Sequence, residues 1–223
     1  MKYTEIYDST LRDGSQGEGI SFSVSDKIKI VKALDEFGID YIEAGNPGSN
    51  PKDLLFFEEM RKIKLDHAKL CAFGSTRRYN VETSEDANIK SLLSANTPVC
   101  AIFGKSWDLH VTEILKISLK DNLEIVFDTV SYLKSLGKEV VFDAEHFFDG
   151  YKNNADYAMR VLDTAVKAGA DCVCLCDTNG GALPEEIHAG TARAAQVLSC
   201  PVGVHCHNDA GLAVAGTLAA VRA

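Results

Sequence analysis

The sequence predicts an α/β chain of the TIM (β/α)8-barrel type with about seven β/α units present. Three observations predict it. Short apolar runs alternate with longer segments of helical periodicity along the 223 residues, the pattern of a parallel sheet covered by helices. A polar or charged cluster closes each apolar run: TLRDG, EAGNPG, GSTRR, GKSW, DAEH, DTNGG and HCHND, in that order. Barrels carry their chemistry at one such face. No G-x-G-x-x-G follows the first run, which weighs against an open doubly wound sheet, the competing closure.

Seven strands are expected at residues 3–8, 39–45, 68–74, 97–104, 138–144, 170–177 and 200–207. Residues 26–37 are expected to be helical because Ile28, Val31, Leu34 and Phe37 recur near helical spacing, with Gly38 as the C-cap. A second helix is expected over 121–136, opened by Asp121 and Glu124 as a capping-box-like pair and ended before Gly137. Others are expected over 155–168, before Gly169, over 184–198 with Pro184 in the first turn, and over 209–222. The eighth strand and helix are expected beyond Ala223, so residues 1–223 read as one incomplete domain. An unfinished barrel leaves its first and seventh strands with unpaired edges, which invites association.

Composition narrows the function classes. Thirty-two acids against 23 bases give a formal net charge of −9, which argues against nucleic acid or an anionic membrane as partner. No stretch approaches the roughly 20 apolar residues of a membrane span, and MKYTEIYDST has no apolar leader core. Seven cysteines, an odd number in no regular framework, suit a reducing cytoplasm. The alternating thiols of CVCLC, Cys172, Cys174 and Cys176, are read as one packed face of a strand rather than as a thiolate metal site.

Two segments carry candidate chemistry. In HCHND, His205 and His207 share a strand face because i and i+2 do, so their imidazoles can offer nitrogens to one metal. The alternative is two ordinary strand-end polar residues. Cys206 then points to the helix layer, and Asn208 and Asp209 serve as partners of the pair or as a helix cap. In DSTLRDGSQG, Arg12 and Asp13 offer a cationic clamp and a carboxylate ligand, or only a surface salt bridge. One carboxylate and two imidazoles make a hard-metal donor set with positions left for a bidentate substrate. Glu43, Glu145 and Thr178 stand at the ends of other expected strands.

These segments resemble a known family. TLRDGSQ, IEAGNP, DTNGG and HCHND are similar to the metal-dependent Claisen-condensing barrel enzymes: the 2-isopropylmalate, homocitrate and citramalate synthases, with the related hydroxymethylglutaryl-CoA lyases. Within that family, DSTLRDGSQGEGISFSVSDK, CAFGSTRR, IFGKSWDLHVTEIL, DAEHFFDGYK and CDTNGGALP look most like the long-type (R)-citramalate synthases. The resemblance implies an acyltransferase that condenses acetyl-CoA with a 2-oxo acid, pyruvate for a citramalate synthase. It implies a divalent metal (Mg, Mn, Zn or Co) on Asp13, His205 and His207. Arg12 would stabilise the oxyanion, and Glu145 would act on the acetyl methyl group. Gln16, Glu43 and Thr178 would bind substrate. It also implies a cytoplasmic homodimer for the full-length protein, in isoleucine biosynthesis. The 2-isopropylmalate and homocitrate synthases, a metal-dependent lyase and an inactive fragment stand as alternatives. The family's Gly-Glu-Arg-x-Gly-Asn-like motif, helical lid and regulatory domain are not found here. Weak metal binding and little turnover are therefore expected of residues 1–223 alone.

Overall fold

The computed structural model describes residues 4–223. It has seven parallel strands in the order β1-β2-β3-β4-β5-β6-β7. Two compact units divide the chain: one runs to Ser75 and includes Ser84–Ala101, and the other comprises Thr76–Thr83 and Ile102–Ala223. Strand β4 (Val99–Lys105) belongs in part to each.

In the first unit, β1 (Tyr7–Asp8) pairs with β2 (Tyr41–Glu43), and β2 with β3 (Lys69–Ser75). Tyr7 is in register with Tyr41, and Tyr41 with Lys69. Helix α1 (Val24–Phe37) starts on a capping box: the Asp26 N–H donates to Ser23 Oγ and the Ser23 N–H to Asp26 Oδ2. Gly38, at φ 90°, ends it. Helix α2 (Pro51–Met60) is capped by Asn50, and α3 (Ala87–Ser94) by Asp86. Val31, Ile42, Phe56, Cys71 and Ile89 are fully buried.

In the second unit, β5 (Glu139–Glu145), β6 (Cys172–Asp177) and β7 (Val202–Cys206) pair side by side. Val140, Phe142, Ala144, Val173 and Leu175 are fully buried. They pack with residues of α4 (Leu119–Ser135), α6 (Ala155–Lys167) and the short α5 (Phe147–Asn153), of which Val126, Leu133, Phe147 and Leu162 are fully buried. Helices α7 (Pro184–Val197) and α8 (Ala213–Val221) follow β6 and β7.

All seven strands fall where the sequence predicts them, with four corrections. Of the first expected strand only Tyr7–Asp8 pairs, and Tyr3 lies outside the described residues. Asp121 does not open α4. Ser118 caps it, and Asp121 is the reciprocating third residue, its N–H 3.1 Å from Ser118 Oγ. The last helix starts at Ala213 rather than 209, because Gly211 adopts φ 71° and the Ala213 N–H donates to Asn208 Oδ1. Helices α2, α3 and α5, and a wide π-type turn at His110–Leu115, have no counterpart among the expected elements.

A buried ion pair organises the EAGNPG loop. Lys27 Nζ on α1 reaches Asp53 Oδ1 at 2.5 Å and the Ala44 carbonyl at 2.9 Å, and Asp53 Oδ2 accepts the Asn46 N–H at 2.8 Å. Both side chains are over nine-tenths buried. A Cβ at Gly45 would sit 2.4 Å from Asp53 Oδ2, so only glycine lets the loop approach. Asp53→Ala leaves Lys27 charged and unpaired, and should cost about 3–5 kcal/mol in denaturant unfolding. Asp35 on α1 makes a second such junction, accepting the N–H groups of Asp66, His67 and Ala68 at 2.9, 2.9 and 2.6 Å. Burial works to raise its pKa, but these donors and the His67 charge outweigh it and hold it below the ordinary 3.8. A lowered folded-state pKa stabilises above the unfolded value and is lost as pH falls through the folded one. The melting-temperature deficit of Asp35→Asn should therefore be largest near neutrality and shrink below about pH 4.

Candidate active site

Two hydrogen-bonded clusters gather most of the expected site residues, one in each unit. The first is built on the turn after β1. Asp8 Oδ1 accepts the Thr10 N–H at 3.0 Å, and the N–H groups of Arg12, Asp13 and Gly14 all converge on the Ser9 carbonyl at 2.9–3.1 Å. That tight turn projects Arg12 and Asp13 as neighbours, with Nη1 to Oδ1 at 2.8 Å.

Arg12 is only 10% exposed, so its charge needs compensation where it stands. Its Nε donates to the fully buried Glu43 carboxylate at the end of β2, and its guanidinium lies 3.9 Å over the Phe73 ring. Tyr7 Oη donates to the other Glu43 oxygen at 2.7 Å. Glu43 thus holds Arg12 in place, and Tyr7 holds Glu43. Tyr7 was not among the candidates, since nothing in the sequence pairs it with a residue 36 positions on. Gln16 closes the same turn, exposed, with its N–H on the Asp13 carbonyl at 3.0 Å.

The second cluster lies after β5, β6 and β7. Glu145 is salt-bridged to Lys105 at the end of β4. The expectation had left Lys105 without a role, although GKSW follows the fourth strand. The next residue, His146, adopts φ 56° and donates its N–H to Thr178 Oγ1 at 2.9 Å. A hydroxyl carries one donor and two acceptor sites. With that N–H already accepted, the Thr178 hydrogen is available to donate to an anion. The His146 ring is fixed by Asp149 at 3.1 Å, and Asn179 Nδ2 holds the same Asp149 oxygen at 2.9 Å. Beside it, His110 stacks near Trp107 and meets His146 edge-on, with centroids 4.7 and 4.5 Å apart. Burial, then the neighbouring His146 and Lys105, holds the His110 pKa below the ordinary imidazole value.

Two loops lock together below the histidine pair. Buried Asp177 accepts the N–H groups of Gly181 and Ala182 at 3.2–3.3 Å, folding DTNGG into a turn. Gly180, at φ 61°, lies against Asp209, where a Cβ would come within 2.6 Å of the carboxylate. His207 donates its N–H to the Asp177 carbonyl at 3.3 Å. The His205 and His207 rings stand 5.0 Å apart. Cys206, between them, packs toward α8, its Sγ 3.4 Å from where a Gly216 Cβ would be. The imidazoles therefore occupy the opposite strand face, as their i, i+2 spacing requires. Asn208 acts on the start of α8, as a cap.

Comparison with known proteins identifies the family. A family model described as HMGL-like matches residues 3–223. The chain belongs to the HMGL-like family. Among curated relatives of this HMGL-like chain, the (R)-citramalate synthase of Aquifex aeolicus (strain VF5) is 58% identical over 98% of the chain and 42% of its own length. That of Geobacter sulfurreducens (strain ATCC 51573 / DSM 12127 / PCA) is 54% identical over 99% of the chain and 42% of its own length. The chain thus spans about two-fifths of the relatives it matches. The solved hydroxymethylglutaryl-CoA lyase of Pseudomonas aeruginosa shares the fold, with a TM-score of 0.76 at 21% identity, covering 97% of this chain and 72% of that one.

Removing one partner of the Arg12–Glu43 pair leaves a buried charge. Glu43→Ala should cost about 3–5 kcal/mol of stability, and Tyr7→Phe about 1–3 kcal/mol. Because both act on one carboxylate, the double variant should cost less than the two single losses added together, measured by a denaturation cycle.

Proposed function

We propose that this chain is the catalytic part of an acyltransferase that condenses acetyl-CoA with pyruvate, giving (R)-citramalate and CoA. The observation that carries the reading is identity above one half to two (R)-citramalate synthases across nearly the whole chain. The residue types support it: Asp13, His205 and His207 offer one carboxylate and two imidazoles, a combination suited to Mg, Mn, Zn or Co. These three residues are assigned as the ligands of a divalent cation. When bound, it supplies Lewis acidity toward the carbonyl and carboxylate oxygens of a 2-oxo acid.

The chain's own residues do the rest. Arg12, held by Glu43 and Asp13, presents fixed positive charge to the oxygen that becomes negative as the new C–C bond forms. A guanidinium already oriented in the resting enzyme does not have to reorganise in the transition state. Thr178 donates its hydroxyl hydrogen to the 2-oxo acid's carboxylate. Gln16, which is exposed, lines the pocket around the acceptor, whereas Glu43, fully buried, acts on the acceptor only by holding Arg12. Glu145 takes a proton from the acetyl methyl group, and Lys105 orients it. The electron pair left on that carbon attacks the pyruvate carbonyl, whose π pair moves to the oxygen beside Arg12, and that alkoxide takes up a proton to become the product's hydroxyl. Water then cleaves the thioester and releases CoA, which makes condensation irreversible.

The wider setting follows the same reading: isoleucine biosynthesis, a reducing cytoplasm suited to seven thiols of which none is in a disulfide, and a homodimeric full-length protein. Among the described residues no helix is long and apolar enough to cross a membrane. In a thiol-release assay with acetyl-CoA and a panel of 2-oxo acids, pyruvate should be the preferred acceptor of the full-length enzyme. Preference for 2-oxoisovalerate would move the assignment to 2-isopropylmalate synthesis. Arg12→Lys should lower kcat by roughly 10²–10³-fold, with a smaller effect on the KM for acetyl-CoA.

A further inference from the structure

The CVCLC strand does form as expected, and Val173 and Leu175 are its fully buried face. Its thiols lie on the other face, where they meet a carboxylate. Asp143 on β5 is in register with Cys174 on β6. Cys176, two residues on, projects from the same face as Cys174. One carboxylate oxygen of Asp143 and the two Sγ atoms all lie within 4.8 Å of one another. Asp143 and Cys176 are each 8% exposed, and Cys174 is half-buried.

We propose that Asp143, Cys174 and Cys176 form a second cation site, specific for a thiophilic divalent ion of the zinc class. It uses the same device as the histidine pair: two ligands at i and i+2 of one strand. Thiolates in place of imidazoles shift the preference from hard to soft ions. Zinc–sulfur bonds of about 2.3 Å in tetrahedral geometry put the two sulfurs about 3.8 Å apart, within reach of small side-chain rotations from the observed spacing.

The neighbouring strand places a glycine beside the thiols. Gly203 on β7 is in register with Cys174. A Cβ there would stand 3.7 Å from Cys172 Sγ, 3.9 Å from Cys174 Cβ and 4.0 Å from Cys174 Sγ. Glycine therefore brings no side chain of β7 against the thiols, and a Cβ there would already be in van der Waals contact with them. Cys172 lies outside this set: it is in register with Val141 on β5 rather than with Asp143. Loading exchanges two S–H protons, released to solvent, for two metal–sulfur bonds, with the carboxylate as third ligand and no change of oxidation state. The ion would cross-link β5 to β6 and stabilise the folded chain.

The test is titration of the reduced chain with Co²⁺ alone, followed by displacement with Zn²⁺. Near-ultraviolet thiolate-to-cobalt charge transfer is expected at one ion per chain, bleached by an equivalent of Zn²⁺. The band should persist in Cys172→Ala and in a His205→Ala/His207→Ala double variant. It should be lost in Cys174→Ser and Cys176→Ser, and weakened in Asp143→Asn. The wild-type spectrum decides the matter even where a variant fails to fold. Absence of a thiolate band in the wild type, or a band that follows Cys172 or the histidines, would overturn the proposal. None of these outcomes depends on the condensation activity.

Discussion

Parallel strands buried on both faces leave polar groups few places to go, and the rest of this structure follows from that constraint. Val140, Phe142, Ala144, Val173 and Leu175 are fully buried, and even the alternate positions Val141, Asp143 and Cys176 are 8% exposed. Charge and hydrogen-bonding capacity therefore collect at the strand ends, where TLRDG, DAEH, DTNGG and HCHND lie. Where ionised groups are buried they are paired: Lys27 with Asp53, and Arg12 with Glu43. Each pair costs desolvation that only close geometry repays. Glycine supplies that closeness to the first pair at Gly45, where a side chain would strike the Asp53 carboxylate.

The same constraint explains what was legible in the sequence. A short apolar run ended by a polar cluster is a local signal, so the expected strands lie within a few residues of their observed bounds. The i, i+2 rule put His205 and His207 on one face and Cys206 on the other, as the contact toward Gly216 bears out. Local chemistry misled where it had two readings. Asp121 resembles a cap but completes the box of Ser118, and Asn208 with Gly211 delays α8 by four residues. Helices α2 and α3 carry weaker periodic signals and were not singled out. Their caps, Asn50 and Asp86, are recognisable once the helices are known.

Tertiary pairings were not legible. Glu43 looked like one more acid at a strand end, yet it is wholly buried between Tyr7 and Arg12. Glu145 looked like a solitary acid, yet Lys105, 40 residues earlier, neutralises it. Both pairings depend on which strands neighbour which, and that follows from the fold rather than from spacing. They also sharpen the chemistry. Arg12 is held by Glu43 and Asp13, and Thr178 accepts the His146 N–H with its hydroxyl hydrogen left over.

The central proposal is that Asp13, His205 and His207 are the ligands of one divalent cation, with Arg12 and Thr178 recognising a 2-oxo acid. The most direct measurement is calorimetric titration of the full-length protein with Mn²⁺, then with pyruvate in saturating Mn²⁺, for wild type, Asp13→Asn and His207→Ala. The account predicts tight Mn²⁺ binding and metal-dependent pyruvate binding in the wild type, with both reduced at least tenfold in each variant. Pyruvate binding that needs no metal, or an Asp13→Asn protein that binds Mn²⁺ like the wild type, would contradict it.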